Sequence, residues 1–319
     1  MDPEISRRGS SGRGSRAAQR ACQLCTICLI ALIFLSFTAS KSRKITAPRA
    51  KPDRLGQPQS EGVGKDVGLA ALTGGISKVI HQSWRSQDVP IRFRPWSTSW
   101  RDNHPSWKWY LWTDEDNRDL IIRTRPSFLS TYDAFPQQIM RADAARILYM
   151  HTYGGCYVDL DFESLKPLDG LVSELPLALG SMGYEQSDHN VPNAFMCSSP
   201  GHQFWELCLE TIEDTWLQSQ QPGNPLNATQ SDGIEQVTGP RMINVALKQW
   251  ARGHSPVPLI EARHVYPYSW LMPVIEPRKA QRFEACQYLW GPFNAATCKS
   301  YFPEAYAVTY WTHTWEHVG

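Results

Sequence analysis

The chain has 319 residues, 42% of them apolar and 20% charged, and its 32 Lys and Arg balance 31 Asp and Glu to a net charge of +1. That length suits one or two domains with a sizeable core. The even charge balance excludes the basic surplus that a nucleic-acid partner calls for.

Residues 1–20 are polar and carry Arg7, Arg8, Arg13, Arg16 and Arg20, which reads as a cytosolic tail. Residues 21–40 are apolar and free of charge, close to the roughly 20 residues that cross a bilayer as a helix. They are expected to form a transmembrane signal-anchor. A cleaved signal peptide ending near Thr38-Ala39-Ser40 is the alternative. An anchor there implies a single-pass type II protein of the Golgi or endoplasmic reticulum membrane, its folded part in the lumen. Residues 41–75, rich in Lys, Arg, Pro, Gly and Gln, read as a stem, and the folded domain is expected over 76–319.

Residues 77–84 read as a first strand, 90–100 as a loop followed by a short helix, and 107–112 as a second, β-rich strand. Thr113, with Asp116 three residues on, predicts a capped helix through 116–123. Over 139–153, Met140, Ala144, Ile147 and His151 fall on one stripe and Gly154-Gly155 stops the helix. A short strand follows at 156–161, and further helices at 203–217 and 241–250. Helices alternating with single strands predict an α/β layered sheet.

Of the eight Cys, Cys156, Cys197, Cys208, Cys286 and Cys298 lie beyond the apolar segment, an odd number that leaves one thiol unpaired or paired between chains. Cys286 and Cys298, close in sequence around an aromatic loop, are the expected disulfide. Asn227-Ala228-Thr229 is a glycosylation sequon in a Pro/Gly/Asn-rich loop. The 13 Trp are read as mainly structural, although indoles also make platforms for sugar rings.

The chemistry concentrates at Arg141-Ala142-Asp143-Ala144-Ala145-Arg146 and Gly154-Gly155-Cys156-Tyr157-Val158-Asp159-Leu160-Asp161. In a strand, Asp159 and Asp161 project to one face. Two carboxylates there repel unless a cation sits between them, and oxygen ligands suit Mn²⁺ or Mg²⁺. Asp143 and Arg146, three apart on the preceding helix, share a face that can hydrogen-bond sugar hydroxyls.

These segments resemble glycosyltransferase family 32, the group with the Asp-x-Asp sugar-binding region. Ile80-His81-Gln82-Ser83-Trp84, Trp112-Thr113-Asp114, Tyr132-Asp133, Pro192-Asn193-Ala194-Phe195-Met196 and Thr238-Gly239-Pro240 follow in the family's order. The resemblance implies a GT-A fold, a Rossmann-like mixed sheet flanked by helices, a nucleotide-sugar donor, a divalent metal and retention of configuration. It implies catalytic roles for Asp143, Arg146, Asp159 and Asp161. It places Ile80, Gln82, Trp84, Arg141, Asp143, Arg146, Tyr157, Asn193 and Trp315 around the nucleotide sugar, and Asp159, Asp161 and His313 at the metal. The spacing looks closest to mannosyltransferases that use GDP-mannose on inositol phosphorylceramide or on N-glycan chains. UDP-galactose and UDP-N-acetylglucosamine are the alternative donors, and an inactive lectin-like relative is the alternative of another class. A haloacid dehalogenase-type phosphatase, which needs Thr or Val two residues after its second Asp, meets Glu163 there instead.

Overall fold

The computed structural model describes residues 75–289 and 291–312. Eight strands fall in this range: β1 Val79–Ser83, β2 Lys108–Trp112, β3 Gly155–Val158, β4 Phe162–Ser164, β5 Leu177–Gly180, β6 Phe195–Ser198, β7 Leu259–Ile260 and β8 Ala307–Thr309. Six form a sheet in the order β2-β1-β3-β6-β5-β7, and β4 pairs with β8 in a second, two-stranded sheet. β1 runs parallel to both β2 and β3, β6 is antiparallel to β3 and β5, and β7 is parallel to β5.

The period-2 alternation of these strands divides the core. Tyr157, Leu177, Leu179 and Met196 face a cluster made with the helices Gln138–Tyr153, Gln203–Ser219 and Pro240–Trp250. Their neighbours Cys156, Val158, Ala178, Phe195 and Cys197 face the opposite cluster, with Trp100, Phe162, Leu168, Val265 and Tyr266. Cys156 and Cys197 are register partners on that second face and form a disulfide. A third cluster gathers Phe93, Trp96, Leu160, Tyr268, Met272 and Tyr310 around the Cys286–Cys298 disulfide. Cys208 is the free, buried thiol of the described residues.

Local chemistry sets the ends of the elements. The Asp114–Thr124 helix opens on a capping box: the Thr113 hydroxyl accepts from the Asp116 amide at 3.2 Å, and the Thr113 amide donates to the Asp116 carboxylate at 2.9 Å. The helix expected only after residue 100 already starts at Arg94, because Pro95 suits the first turn of a helix. The Gln138–Tyr153 helix is buried nearly all round from Asp143 to Met150, wider than one stripe.

The expected N-terminal transmembrane helix, and the single-pass type II Golgi or endoplasmic reticulum placement that rested on it, are corrected by the fold. No helix among the described residues is long and apolar enough to cross a membrane. The longest is Gln203–Ser219, 17 residues that include Glu206, Glu210, Glu213 and Asp214, short of the roughly 20 apolar residues needed. Residues 21–40, on which that expectation was built, lie outside the described range, as do residues 1–20, most of the stem, His313 and Trp315.

Candidate functional site

Because β2, β1 and β3 are parallel, their carboxyl ends, at Thr113, Trp84 and Asp159, share one edge of the sheet. In open α/β sheets that edge is where ligands bind. Two glycines deliver the chain into β3. Gly154 and Gly155 have φ of 61° and 85°, and a Cβ on Gly155 would lie 2.5 Å from the Val79 carbonyl oxygen. His81 secures the same turn. Its Nδ1 accepts from the Trp112 indole at 3.0 Å, so Nε2 carries the proton and donates to the Gly154 carbonyl at 2.9 Å. Burial lowers its pKa to about 4, which keeps the ring neutral.

Arg146 is the centre of the site. Its guanidinium lies 3.2 Å from Asp143 Oδ1 and 3.3 Å from Asp159 Oδ1, donates to the Asn193 carbonyl at 3.0 Å, and sits 4.5 Å above the Tyr157 ring. Its Nε is buried with no hydrogen-bond partner. Asp143 is closed in turn by Asn193 Nδ2 at 2.9 Å and the Thr238 hydroxyl at 3.2 Å. Burial pushes the Asp143 carboxyl up to about 6, against the pull of Arg146. The Tyr157 hydroxyl donates to Asp159 Oδ1 at 2.6 Å, and burial holds that phenol protonated.

Asp159 and Asp161 do not lie in a strand. β3 ends at Val158, and the Phe162 amide donates to the Asp159 carbonyl at 3.1 Å, closing a turn. The same carbonyl accepts from Gln82 Nε2 at 3.4 Å, and Gln82 is itself fixed by the Ser97 hydroxyl and the Trp109 indole. The two carboxylates therefore take different partners. Asp159 turns to Tyr157 and Arg146. Asp161 accepts from the Thr309 hydroxyl at 3.3 Å, and from the Thr312 amide and hydroxyl at 2.9 and 3.1 Å. Thr309 gives no signal in the sequence, because β8 is only three residues long. Its pairing with β4 is what carries the C-terminal segment back to the site.

The structure thus brings together Asp143, Arg146, Tyr157, Asp159 and Asn193, with Gln82 behind the turn. Trp84 follows β1 on the same edge and meets Phe93 edge-on at 5.6 Å. Ile80 is packed in the core. Arg141 points elsewhere, donating to Gln138 Oε1 and the Phe135 carbonyl. Asn227 is exposed, its side chain accepting from the Thr229 amide and hydroxyl. Among the described residues no three His, Cys, Asp or Glu side chains are grouped to hold a metal.

Residues 90–177, which include the Asp143–Asp161 constellation, match the family described as "Glycosyltransferase sugar-binding region containing DXD motif". Over this stretch the chain is similar to glycosyltransferases of that family, mannosyltransferases among them. It is 35% identical over 139 residues to inositol phosphoceramide mannosyltransferase 2 of Schizosaccharomyces pombe, a match covering 43% of this chain and 39% of that one. It is 32% identical over 184 residues to mannosyl phosphorylinositol ceramide synthase SUR1 of Saccharomyces cerevisiae, covering 57% and 44%. It is 31% identical over 110 residues to the initiation-specific alpha-1,6-mannosyltransferase of Candida albicans, covering 32% and 28%. The chain thus spans less than half the length of these curated relatives.

Proposed function

We propose that residues 76–319 are the catalytic domain of a retaining glycosyltransferase. It moves mannose from GDP-mannose onto a glycan or an inositol phosphorylceramide-type glycosphingolipid, with Mn²⁺ or Mg²⁺. The observation that carries the reading is the buried Arg146. Its charge is matched by Asp143 and Asp159, and its buried Nε has no hydrogen-bond partner. The names of the mannosyltransferase relatives favour the donor and the acceptor classes.

In this reading Asp143 and Arg146 hold the donor hexose, with Asn193 and Thr238 fixing Asp143 rather than touching the sugar. Trp84 flanks the nucleoside. Asp159 and Asp161 would hold the metal. The fit is one of donor chemistry: carboxylates and threonine hydroxyls make an all-oxygen set, and such ions commonly take one or two carboxylates and complete their shell with phosphate oxygens. When bound, the ion neutralises charge that builds on the departing diphosphate. Arg146 adds a fixed positive charge in a water-poor pocket, where it stabilises developing negative charge without reorganising. Acceptor attack on the face the diphosphate leaves, with a diphosphate oxygen taking the acceptor proton, gives retention; the protein's part is to position the two.

The test is turnover of GDP-mannose, UDP-galactose and UDP-N-acetylglucosamine with Mn²⁺ by wild type and Asp161→Ala. GDP-mannose should be preferred, and Asp161→Ala should lower the rate roughly 100-fold or more. Equal rates for the two proteins contradict the role of Asp161, and a preferred uridine donor overturns the mannose assignment.

A further inference from the structure

Asp143 is held by residues from two separate segments. Asn193 Nδ2 reaches it from the connection between β5 and β6, and the Thr238 hydroxyl reaches it from the end of the Ser231–Val237 helix. A cluster of charged side chains outside the cradle joins these two segments. His189, four residues before Asn193, is hydrogen-bonded through Nε2 to Glu235, which stands one helical turn before Thr238. Asp188 Oδ1 lies 2.8 Å from the other ring nitrogen. Arg241, from the Pro240–Trp250 helix, braces the pair. Its guanidinium is paired with Asp232 and lies 3.1 Å from Asp188 Oδ2 and 3.8 Å from Glu235 Oε2. Trp270 packs edge-on against the imidazole, ring centroids 5.6 Å apart.

This geometry fixes the charge of His189. A neutral imidazole has one donor and one acceptor nitrogen, whereas a carboxylate only accepts. With a carboxylate at each ring nitrogen, both must carry a proton, and the ring is an imidazolium. The Glu235 hydrogen bond raises its pKa above the ordinary 6.5, against burial and the Arg241 charge. Asp188, Asp232 and Glu235 then face two cations. Loss of the His189 proton leaves three carboxylates against Arg241 alone and turns a nitrogen lone pair on one of them. Half-buried ion networks of this kind add little net stability, because desolvation and side-chain ordering offset the attraction. What they supply is position.

Position is passed on through short, well-bonded links. On the helix side, Thr238 donates to the Ile234 carbonyl through its amide at 3.0 Å and its hydroxyl at 3.3 Å, so it moves with the helix that carries Glu235. On the other side, Asn190 Oδ1 accepts from the Ser181 hydroxyl at 3.1 Å and the Tyr184 amide at 2.8 Å, and the Val191 carbonyl accepts from Asn244 Nδ2 at 3.0 Å. Residues 190 and 191 are thereby pinned between His189 and Asn193.

We infer that His189 and Glu235, braced by Arg241, are positioning residues: their charged contact sets the spacing of Asn193 and Thr238, and with it the orientation of Asp143 and Arg146 toward the sugar of the nucleotide donor. The inference rests on the role proposed above for Asp143 and Arg146. The contact is complete below pH 6.5 and is lost as pH rises through the raised folded value of His189.

Turnover by the full chain with Mn²⁺ tests this, read as KM and kcat between pH 7 and 8.5, above the titration of Asp143 near 6, with the nucleotide sugar that wild type uses best. In wild type, KM should rise roughly 3- to 10-fold over that range with kcat nearly unchanged, as when uniform binding of the nucleotide sugar weakens. His189→Gln should be pH-independent at the raised KM. His189→Arg, which keeps a two-point cation between the carboxylates, should be pH-independent at the low one. Glu235→Gln should match His189→Gln within roughly 2-fold, since the two act as one unit. Parallel profiles for wild type and His189→Gln overturn the inference. So does a fall in kcat at unchanged KM, which marks a smaller folded fraction and a merely structural cluster; urea midpoints at the same pH values read that fraction directly. Turnover that is intact with KM flat in every protein leaves the sugar-nucleotide site standing and removes the positioning role. Wild type that turns over no nucleotide sugar at any pH removes the reading of that site and the inference with it.

Discussion

Asp143 and Arg146 each leave 6% of their side chains exposed, whereas Asp159, on the turn beside them, leaves 33%. The first pair is locked from every side by Asn193, Thr238, the Asn193 carbonyl and the Tyr157 ring. The turn is held mainly through its backbone, by Gln82 and the Phe162 amide, and by hydroxyls that reach Asp161 from the far end of the chain. A site built this way separates two tasks. One half is a rigid, desolvated cradle whose charges stabilise the fold only while they remain matched. The other keeps its carboxylates half open to solvent, as the metal role proposed for them requires.

The largest expected effect breaks the cradle. Arg146→Met removes the cation and leaves Asp143 buried beside Asp159. Breaking a buried pair in this way costs about 3–5 kcal/mol, so the urea midpoint should drop steeply and donor turnover should vanish with it. A variant as stable as wild type would show that the cradle is not stressed by its own charges. Next comes His81, which ties the Gly154 turn to β1 and β2. Its folded pKa of about 4 lies below the ordinary 6.5, so the neutral form is the folded one. The stability it contributes is complete above pH 6.5 and is lost as pH falls through 4. The shift is worth roughly 3 kcal/mol. Wild type should lose about that much more stability than His81→Gln between pH 7 and 4, measured by urea unfolding. Parallel losses in the two proteins would remove His81 from the account.

Much of the cradle is legible in the amino-acid order alone. Thr113 with Asp116 signals a helix start because two polar groups answer two orphan amides, and the structure shows both bonds. Asp143 and Arg146 share a face by helical arithmetic. The turn is not legible, because period 2 runs on past Val158 without interruption. Nothing in Val158-Asp159-Leu160 announces a stop. The chain turns because Gln82, 77 residues upstream, and the Phe162 amide claim the Asp159 carbonyl. Long-range partners of this kind leave no local pattern. The Cys156–Cys197 disulfide is hidden for the same reason, since it follows from the β3–β6 register and not from sequence proximity. Around Cys286–Cys298 the elements run only four to six residues, too short for any periodicity to declare itself.

The smallest expected effect on stability falls on the open half, and it is the sharper probe of the comparison. Asp161→Asn keeps the shape of the side chain and keeps one carbonyl oxygen to accept from the Thr312 amide, but it removes the charge. Asp161 is only partly buried, and it accepts from an amide and two hydroxyls. Exchanging a charged acceptor for a neutral one there should cost about 0.5–1 kcal/mol, several times less than Arg146→Met. Turnover should nevertheless collapse, since the amide oxygen is a poor ligand for a hard divalent ion. Urea unfolding and donor turnover measured on the same preparation read both numbers. A stability loss as large as that of Arg146→Met would mean that Asp161 is part of the cradle, and that the division of the site into a locked half and an open half is false.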